Sequence, residues 1–306
     1  MASVPPTLTK VALTDHRLPT LAPPRAWNPD GIRARCRSKG ANVTVMPILQ
    51  HDRGRAYYRY WPAAAPHAAV IFLHGFGEHT GLYHRYAFGL NAVGIDLWAI
   101  DQFGHGLTGG ERGDFGSIEI SSALADAITD LAERQRPGLP LIAQGHSFGS
   151  VVTLCRLLDN PDRYRAGIIS GAPLAPIPEL LDGDGSFDLD PAWLSADPFY
   201  LDSLENDPLA FVDANGSVLS RELVTAWDRL GSQLSNLAVP TLAVHGEADP
   251  IAPVGPVRAY AQQIERLQLK TFAGARHDIL NETVHREVAA AVIEFVDAQL
   301  CSQLKP

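Results

Sequence analysis

Residues 139–158 read LPLIAQGHSFGSVVTLCRLL, and this stretch decides the fold. A short apolar run leads into the turn GHSFG, and a segment with the apolar pattern of a buried helix follows. Between a strand and a helix, the pattern G-x-S-x-G holds a serine hydroxyl out at the carboxyl end of a parallel sheet. The stretch therefore predicts that Ser147 is a nucleophile. The alternative is a serine that only caps a helix.

Other short apolar runs end at turn residues, as buried parallel strands do. They cover residues 69–73, 95–100, 166–170, 239–244 and 267–272. Helical periodicity appears between some of these runs, over 121–134, and after the last, over 282–300, where Asn281 is available as N-cap. Strands that alternate with helices predict an α/β fold, with a mostly parallel sheet flanked by helices.

The segment 174–236 interrupts this alternation. It contains no convincing buried strand, it is acidic, and it holds no Lys or Arg before residue 221, yet it carries several large apolar side chains. We interpret it as a mainly helical cap, inserted between two parts of the core at 41–173 and 237–306. Residues 1–40, which are rich in proline, are interpreted as an N-terminal extension packed on the core.

Composition argues against several classes of protein. A net charge of −9 makes nucleic acid an unexpected partner, because phosphate binding needs clustered Lys and Arg. Three widely spaced cysteines form neither a disulfide framework nor a zinc site. We expect a cytoplasmic protein without stable membrane insertion, since the sequence shows no secretory signal and no apolar stretch of about 20 residues. The sequence does not predict an oligomeric state.

Cofactor and metal motifs are not expected either. No P-loop occurs, and no G-x-G-x-x-G turn joins a strand directly to a helix, so no nucleotide cofactor is implied. The spacing of His74, Glu78, His79 and His84 matches no zinc pattern, so we expect no metal.

A serine hydroxyl is a poor nucleophile near neutral pH and requires a base. His277 lies in GARHDIL, after the last apolar run, and follows an acidic residue in the expected order Ser…Asp…His. His74, His146 and His245 adjoin glycines, and their ordinary interpretation is a turn or a supporting hydrogen bond. His277 is therefore the predicted base.

A carboxylate should orient this histidine. Asp249 follows the run VPTLAVHG by three residues and is our prediction, with Glu247 as the alternative. Asp278 is adjacent to His277 and should point away from it. Asp101 is a weaker alternative, because fixing the loop DQFGHG by hydrogen bonds is its more ordinary role.

The reaction also needs two N–H donors for an oxyanion. The backbone N–H of Phe148, after the nucleophile, is one candidate. The other is the N–H of Phe76 in HGFG (residues 74–77), a loop that follows an early strand.

Several stretches, in order, resemble the monoacylglycerol lipase and lysophospholipase branch of the α/β-hydrolases. They are HGFGEHTGLYHRYAFGL (74–90), DQFGHGLTGGERGDFGSI (101–118), GHSFGS (145–150), DPLAF (207–211), HGEADPI (245–251) and GARHDILNE (274–282). The resemblance implies the α/β-hydrolase fold with a cap after the sixth strand. It also implies the triad of Ser147, Asp249 and His277, with Phe76 and Phe148 supplying the oxyanion hole.

The sequence departs from this family at the nucleophile. Phe148 and Ser150 stand where the family usually has methionine and glycine, and Thr108 stands where it usually has serine. The Phe148 ring is expected to narrow or reshape the acyl side. For the substrate pocket, the candidate residues are His146, Phe199, Leu204 and Ile251.

The resulting hypothesis is a serine esterase or lipase that hydrolyses carboxylic monoesters with an apolar chain through an acyl-enzyme. The small-molecule ester is either monoacylglycerol-like or an alkyl monoester. Alternatives are an esterase for small aromatic-acid monoesters such as monoalkyl phthalates, an acyltransferase with the same triad, and a ligand-binding protein on a hydrolase scaffold. Ser147 argues against dehalogenases and epoxide hydrolases of this fold, which use a carboxylate nucleophile.

Overall fold

A computed structural model describes residues 47–177 and 186–301 of the protein. The predicted N-terminal extension at 1–40 lies outside the described residues. Within them, no helix has both the length and the apolar character needed to span a membrane.

The centre of the fold is an eight-stranded sheet, accompanied by a separate two-stranded one. The strands are β1 (Ile48–His51), β2 (Gly54–Trp61), β3 (Ala68–Leu73), β4 (Ile95–Ile100), β5 (Leu141–His146), β6 (Ala166–Ser170), β7 (Ser186–Asp188), β8 (Asp213–Asn215), β9 (Thr241–Gly246) and β10 (Leu267–Phe272). The order in the large sheet is β1-β2-β4-β3-β5-β6-β9-β10. β2 pairs antiparallel with both β1 and β4, and the other pairings in this sheet are parallel.

Helices cover both faces of this sheet. They are α1 (His84–Ala92), α2 (Ile118–Gln135), α3 (Phe148–Asp159), α4 (Pro191–Leu194), α5 (Pro198–Asn206), α6 (Ser217–Gln233), α7 (Val254–Gln263) and α8 (His285–Cys301). Apolar residues of α1 and α8 share one core cluster with alternate residues of β3, and those of α2, α3 and α6 share the other. Burial on both faces explains why the central strands read as continuous apolar runs.

The predicted α/β fold with a mostly parallel sheet is confirmed, with local differences. β5 continues through Gln144 and Gly145 to His146, so the strand delivers the chain directly into the GHSFG turn. The predicted N-cap at Asn281 is wrong, because α8 begins only at His285. The Asn281 side chain instead donates to Asp278, from Nδ2 to Oδ2 at 2.8 Å.

The chain between β6 and β9 holds α4, α5, α6 and the antiparallel pair β7–β8. The two strands were not expected, since each has three residues and neither carries an apolar run. This segment contacts the core near the predicted site. The N–H of Phe211 donates to the carbonyl of Gly77 at 2.9 Å, and the N–H of Asp278 donates to the carbonyl of Leu194 at 2.7 Å.

Candidate active site

Ser147 sits at a strained turn between β5 and α3. Its φ is 49°, and among the described residues it alone has a positive φ without being glycine. Such a conformation costs of order 1–3 kcal/mol and persists where surrounding contacts enforce it. A side chain at Gly145 would place Cβ 2.1 Å from the Gly149 carbonyl oxygen, and one at Gly149 would place it 2.3 Å from that of Leu73. Both glycines are therefore required by the close approach of neighbouring backbone.

Ser150 reinforces this turn. Its hydroxyl lies 2.8 Å from the Gly145 carbonyl oxygen and 3.0 Å from that of Ser170, and it accepts from the Ser170 N–H at 3.1 Å. The hydroxyl thus ties α3 to the ends of β5 and β6. This network gives a physical role to one of the residues that depart from the family pattern.

Ser147, His277 and Asp249 form a hydrogen-bonded chain. Nε2 of His277 lies 2.8 Å from Ser147 Oγ, and Nδ1 lies 2.9 Å from Asp249 Oδ2. A carboxylate only accepts hydrogen bonds, so Nδ1 carries the proton and Nε2 presents its lone pair to the serine hydroxyl. This tautomer is the one that a general base requires.

Further donors fix the Asp249 carboxylate. Oδ1 accepts from the backbone N–H groups of Ile251 and Ala252, each at 2.9 Å. Oδ2 lies 3.1 Å from Nε2 of His245, which is also 2.6 Å from the Ala252 carbonyl oxygen. Because that carbonyl only accepts, His245 Nε2 carries a proton and reaches the carboxylate as a donor. The sequence suggested no more than a supporting hydrogen bond for His245. The structure shows that Asp249 is its partner.

The electrostatics of the pair favour proton transfer to His277. Burial raises the pKa of Asp249, but the adjacent His277 and His245 outweigh it and hold that pKa well below its usual range. Burial lowers the pKa of His277, whereas the Asp249 carboxylate more than compensates and leaves that pKa above 6.5. The carboxylate is thus ionised and the imidazole basic.

The structure brings none of the alternative acids into hydrogen-bonding contact with His277. Glu247 is exposed and accepts from the hydroxyl of Thr271 at 2.8 Å. Asp278 is buried but directs Oδ2 to Asn281. Asp101 accepts from the N–H groups of Thr80 and Leu107, and so joins its own loop to the turn that begins at Thr80. Of the four acids considered, Asp249 is the one whose carboxylate forms a hydrogen bond with His277.

A small cavity of about 30 Å³ opens at Ser147 and His277. It is lined by Gly75, Phe76, Glu78, His146, Ser147, Phe148, Pro173, Ile177, Leu189, Leu194, Leu219, Leu223, Ile251 and His277. Both predicted oxyanion residues therefore lie at the same cavity as Ser147. Phe148 opens α3, whose N-terminal N–H groups and dipole favour negative charge. Its ring is buried against that of Phe115, with centroids 4.1 Å apart.

The predicted pocket residues divide into two pairs. His146 and Ile251 line the cavity, whereas Phe199 and Leu204 do not. Phe199 is 53% exposed and lies beneath the Arg85 guanidinium, while Leu204 is buried in the core cluster that contains α1. Helix α5 turns Tyr200 and Leu204 inward and Phe199 outward, a choice of face that the apolar pattern alone did not reveal.

The chain resembles proteins of known family over most of its length. The family model Hydrolase_4, described as serine aminopeptidase S33, matches residues 64–284. A monoacylglycerol lipase of Mycolicibacterium smegmatis is 27% identical over 265 residues, which cover 80% of this chain and 94% of that protein. The human monoglyceride lipase is 27% identical over 263 residues, 78% of this chain and 84% of the relative.

Comparison with solved structures agrees with these sequence matches. The crystal structure of Paleococcus ferrophilus monoacylglycerol lipase has a TM-score of 0.69 and 25% identity, covering 80% of this chain and 99% of that one. A soluble variant of the Saccharomyces cerevisiae monoglyceride lipase, in complex with a substrate analogue, has a TM-score of 0.73 at 19% identity. It covers 85% of this chain and 96% of that one, and it shares the fold.

Proposed function

The chain belongs to the Hydrolase_4 family, and from that premise we propose that it hydrolyses neutral carboxylic monoesters through an acyl-enzyme on Ser147. At the coarser level it is a monoglyceride lipase-like carboxylic ester hydrolase. The observation that carries the proposal is the pair of contacts at 2.8 and 2.9 Å that joins Ser147 through His277 to Asp249.

In this mechanism, His277 Nε2 removes the proton of Ser147 as Oγ attacks the ester carbonyl carbon. The backbone N–H groups of Phe76 and Phe148 stabilise the oxyanion, and each such donor is worth about 10²–10³-fold in rate. Protonated His277 then gives its proton to the leaving alcohol, while Asp249 stabilises the imidazolium. Water, activated by the same histidine, releases the acid from Ser147.

The cavity indicates which ester fits. Its lining is mainly apolar and contains no Lys or Arg among the described residues, and Glu78 contributes acidic character. A phthalate-type monoester would bring an uncompensated carboxylate into this site, which is unfavourable without a cationic partner. The lining thus supports a neutral monoester, such as a monoglyceride, over an anionic one.

The size of the cavity supports a movable cap. About 30 Å³ accommodates one or two water molecules and is too small for an acyl chain of many carbons. Five apolar side chains from residues 174–236 narrow it: Ile177, Leu189, Leu194, Leu219 and Leu223. We infer that 174–236 acts as a cap over the core parts 41–173 and 237–306, and that these side chains separate from Ser147 when a chain-bearing ester enters.

A substrate panel tests the proposal. It crosses acyl length with the alcohol or acid group, comparing neutral monoglycerides with monoalkyl phthalates. We expect turnover of neutral esters, weak or no turnover of phthalate monoesters, and loss of all turnover in Ser147→Ala. Ser232→Ala, which changes an exposed serine in α6, is the matched control. Equal inactivity of the wild type and Ser147→Ala on every ester would favour the ligand-binding alternative. Acylation of an added alcohol at the expense of hydrolysis would favour acyl transfer.

A further inference from the structure

A buried cluster of acids and hydroxyls adjoins the cavity, whose lining includes Glu78 and His146. Glu78 and Asp278 are 4% and 0% exposed, and Tyr83 and Tyr200 are equally buried. Donor atoms of Glu78, Asp278 and His146 all lie within 4.8 Å of one another. None of these side chains except that of His146 was predicted to serve the reaction, and the mechanism above uses none of them.

Glu78 connects two parts of the molecule. Its Oε2 accepts from the Gly75 N–H at 2.8 Å and from the Tyr83 hydroxyl at 2.5 Å. Its Oε1 accepts from the Tyr200 hydroxyl at 3.1 Å. Gly75 precedes Phe76 in the HGFG loop, whereas Tyr200 belongs to α5 in the proposed cap. The single side chain of Glu78 thus accepts a hydrogen bond from the backbone of the HGFG loop and another from the proposed cap.

Asp278 faces this carboxyl with an unpaired oxygen. Oδ2 accepts from Asn281, but the buried Oδ1 has no hydrogen-bond partner among the described residues. Nε2 of His146 lies 3.8 Å from Oδ1. His146 Nδ1 is 3.1 Å from the Ser170 carbonyl oxygen, so Nδ1 carries the proton and Nε2 presents a lone pair. Acceptors from three residues therefore converge, and the Tyr200 hydroxyl, which faces both acids, supplies only one proton.

No cation among the described residues balances the two acids. No Lys or Arg forms an ion pair with either carboxyl in the part of the chain that the structure describes. Burial lowers the pKa of His146 to about 4, so this imidazole is neutral near pH 7. Two adjacent buried carboxylates without a counter-charge are costly, and a shared proton removes one charge while supplying the missing hydrogen bond.

We propose that Glu78 and Asp278 share one proton, and that the resulting pair positions the HGFG loop and the loop of His277 for the reaction. The inference about positioning rests on the proposed function; the shared proton does not. Burial, reinforced by Asp278, raises the pKa of Glu78 well above its ordinary value. The other titratable groups facing the pair are Tyr83, Tyr200 and His146. The pKa of each tyrosine is raised by burial, so both stay protonated as donors.

The proposal predicts different effects for glutamine and for alanine at position 78. In Glu78→Gln, the amide oxygen can keep the Gly75 N–H, and the amide N–H can replace the shared proton toward Asp278 Oδ1. In Glu78→Ala, the Gly75 N–H loses its acceptor and Asp278 is left alone. A mispositioned oxyanion donor lowers the stability of the transition state more than that of bound substrate.

The kinetic test uses the full chain and a neutral short-chain ester. For Glu78→Ala we expect a loss of about 10- to 100-fold in kcat with KM changed less than about 3-fold. Glu78→Gln should recover most of that loss. The matched control is Glu222→Ala, since Glu222 also accepts from a backbone N–H, that of Ile118 at 3.1 Å, but outside the cavity lining. Thermal melts of all variants establish that they are folded.

Infrared spectroscopy tests the proton without turnover. The wild type at neutral pH should show the carbonyl stretch of a buried protonated carboxylic acid, and both Glu78→Gln and Asp278→Asn should lack it. Absence of this band in the wild type, or equal kinetic damage from glutamine and alanine, overturns the proposal. Inhibition of the wild type by Zn²⁺ that is relieved in Glu78→Gln would also overturn the proposal, because the cluster would then be a metal-binding site. Inactive wild type with the band present would instead refute the proposed function and leave the shared proton standing.

Discussion

Replacing Asp249 by asparagine changes one atom in a carboxylate that accepts only from N–H groups. Oδ1 faces the N–H groups of Ile251 and Ala252, and Oδ2 faces His277 and His245. The amide NH₂ of asparagine therefore meets two donors in either orientation. If it faces the histidines, it donates to Nδ1 of His277 and stabilises the tautomer with the proton on Nε2. That nitrogen then cannot accept the proton of Ser147.

The size of the effect follows from the tautomer. In serine hydrolases, this exchange leaves the geometry intact but lowers kcat by about 10⁴. At about 1.4 kcal/mol for each factor of ten, a loss of about 10³–10⁴ corresponds to roughly 4–5.5 kcal/mol of transition-state stabilisation. If the amide turns toward the backbone instead, two hydrogen bonds to Oδ1 are lost, and the cost falls mainly on stability, at about 1–3 kcal/mol for each unsatisfied donor.

The assay is the steady-state kcat on a neutral short-chain ester, with a thermal melt to establish folding. Glu247→Gln is the matched control, because Glu247 lies two residues away, is exposed and bonds Thr271 instead. Its kcat should stay within about 2-fold of wild type, as for most exposed substitutions. A folded Asp249→Asn variant that retains more than a tenth of wild-type kcat would refute the reasoning. A large loss in Glu247→Gln with little change in Asp249→Asn would move the acid to Glu247.

Other predictions concern pH, strain and the cap. The value of kcat/KM should fall as the pH drops through the pKa of His277, which the Asp249 carboxylate holds above its ordinary value, because the protonated imidazole cannot accept the serine proton. A pH profile of a weakly active Asp249→Asn variant should show that acid limb at lower pH, and an unmoved limb would contradict the assignment. Ser147→Gly should raise the free energy of unfolding in urea by about 1 kcal/mol, since glycine tolerates a φ of 49°. A lower free energy of unfolding in this variant would contradict the strain argument. Arg112 donates to the Ala210 carbonyl at 2.6 Å and stacks 4.5 Å from the Phe211 ring. Arg112→Ala should therefore lower kcat/KM about 5-fold, because residues 207–211 would be held less firmly against the HGFG loop. The control is Arg134→Ala, which changes an exposed arginine and should leave kcat/KM unchanged. Equal kcat/KM in the two variants would contradict this role of Arg112.

Local patterns predicted the parts of the site that adjoin strands. The runs before Ser147 and Asp249 are short and apolar because both faces of a buried parallel strand are covered, and turn residues mark where these strands end. Their carboxyl ends meet at one edge of the sheet, where the structure places Ser147, Asp249 and His277 together. The order of residues along the chain was enough to suggest these partners.

Other features depend on contacts that no local pattern encodes. Glu78 and Asp278 lie 200 positions apart in the sequence, and their approach follows from how the loop after β3 meets the loop after β10. The inward face of α5 depends on long-range contacts such as the hydrogen bond from Tyr200 to Glu78, so Phe199 and Tyr200 could not be told apart by hydrophobicity. The pair β7–β8 consists of two short strands whose pairing is decided by contacts between them rather than by apolar periodicity.

The most direct test of the central claim is mass spectrometry of the protein mixed with p-nitrophenyl acetate and quenched before turnover is complete. The account predicts one added acetyl group, located on the peptide that contains Ser147, in the wild type. It also predicts no adduct in Ser147→Ala and accumulation of the adduct wherever deacylation is slower than acylation. An acetyl group on another residue that turns over with the reaction, or undiminished hydrolysis by Ser147→Ala, would contradict the assignment of Ser147 as the nucleophile.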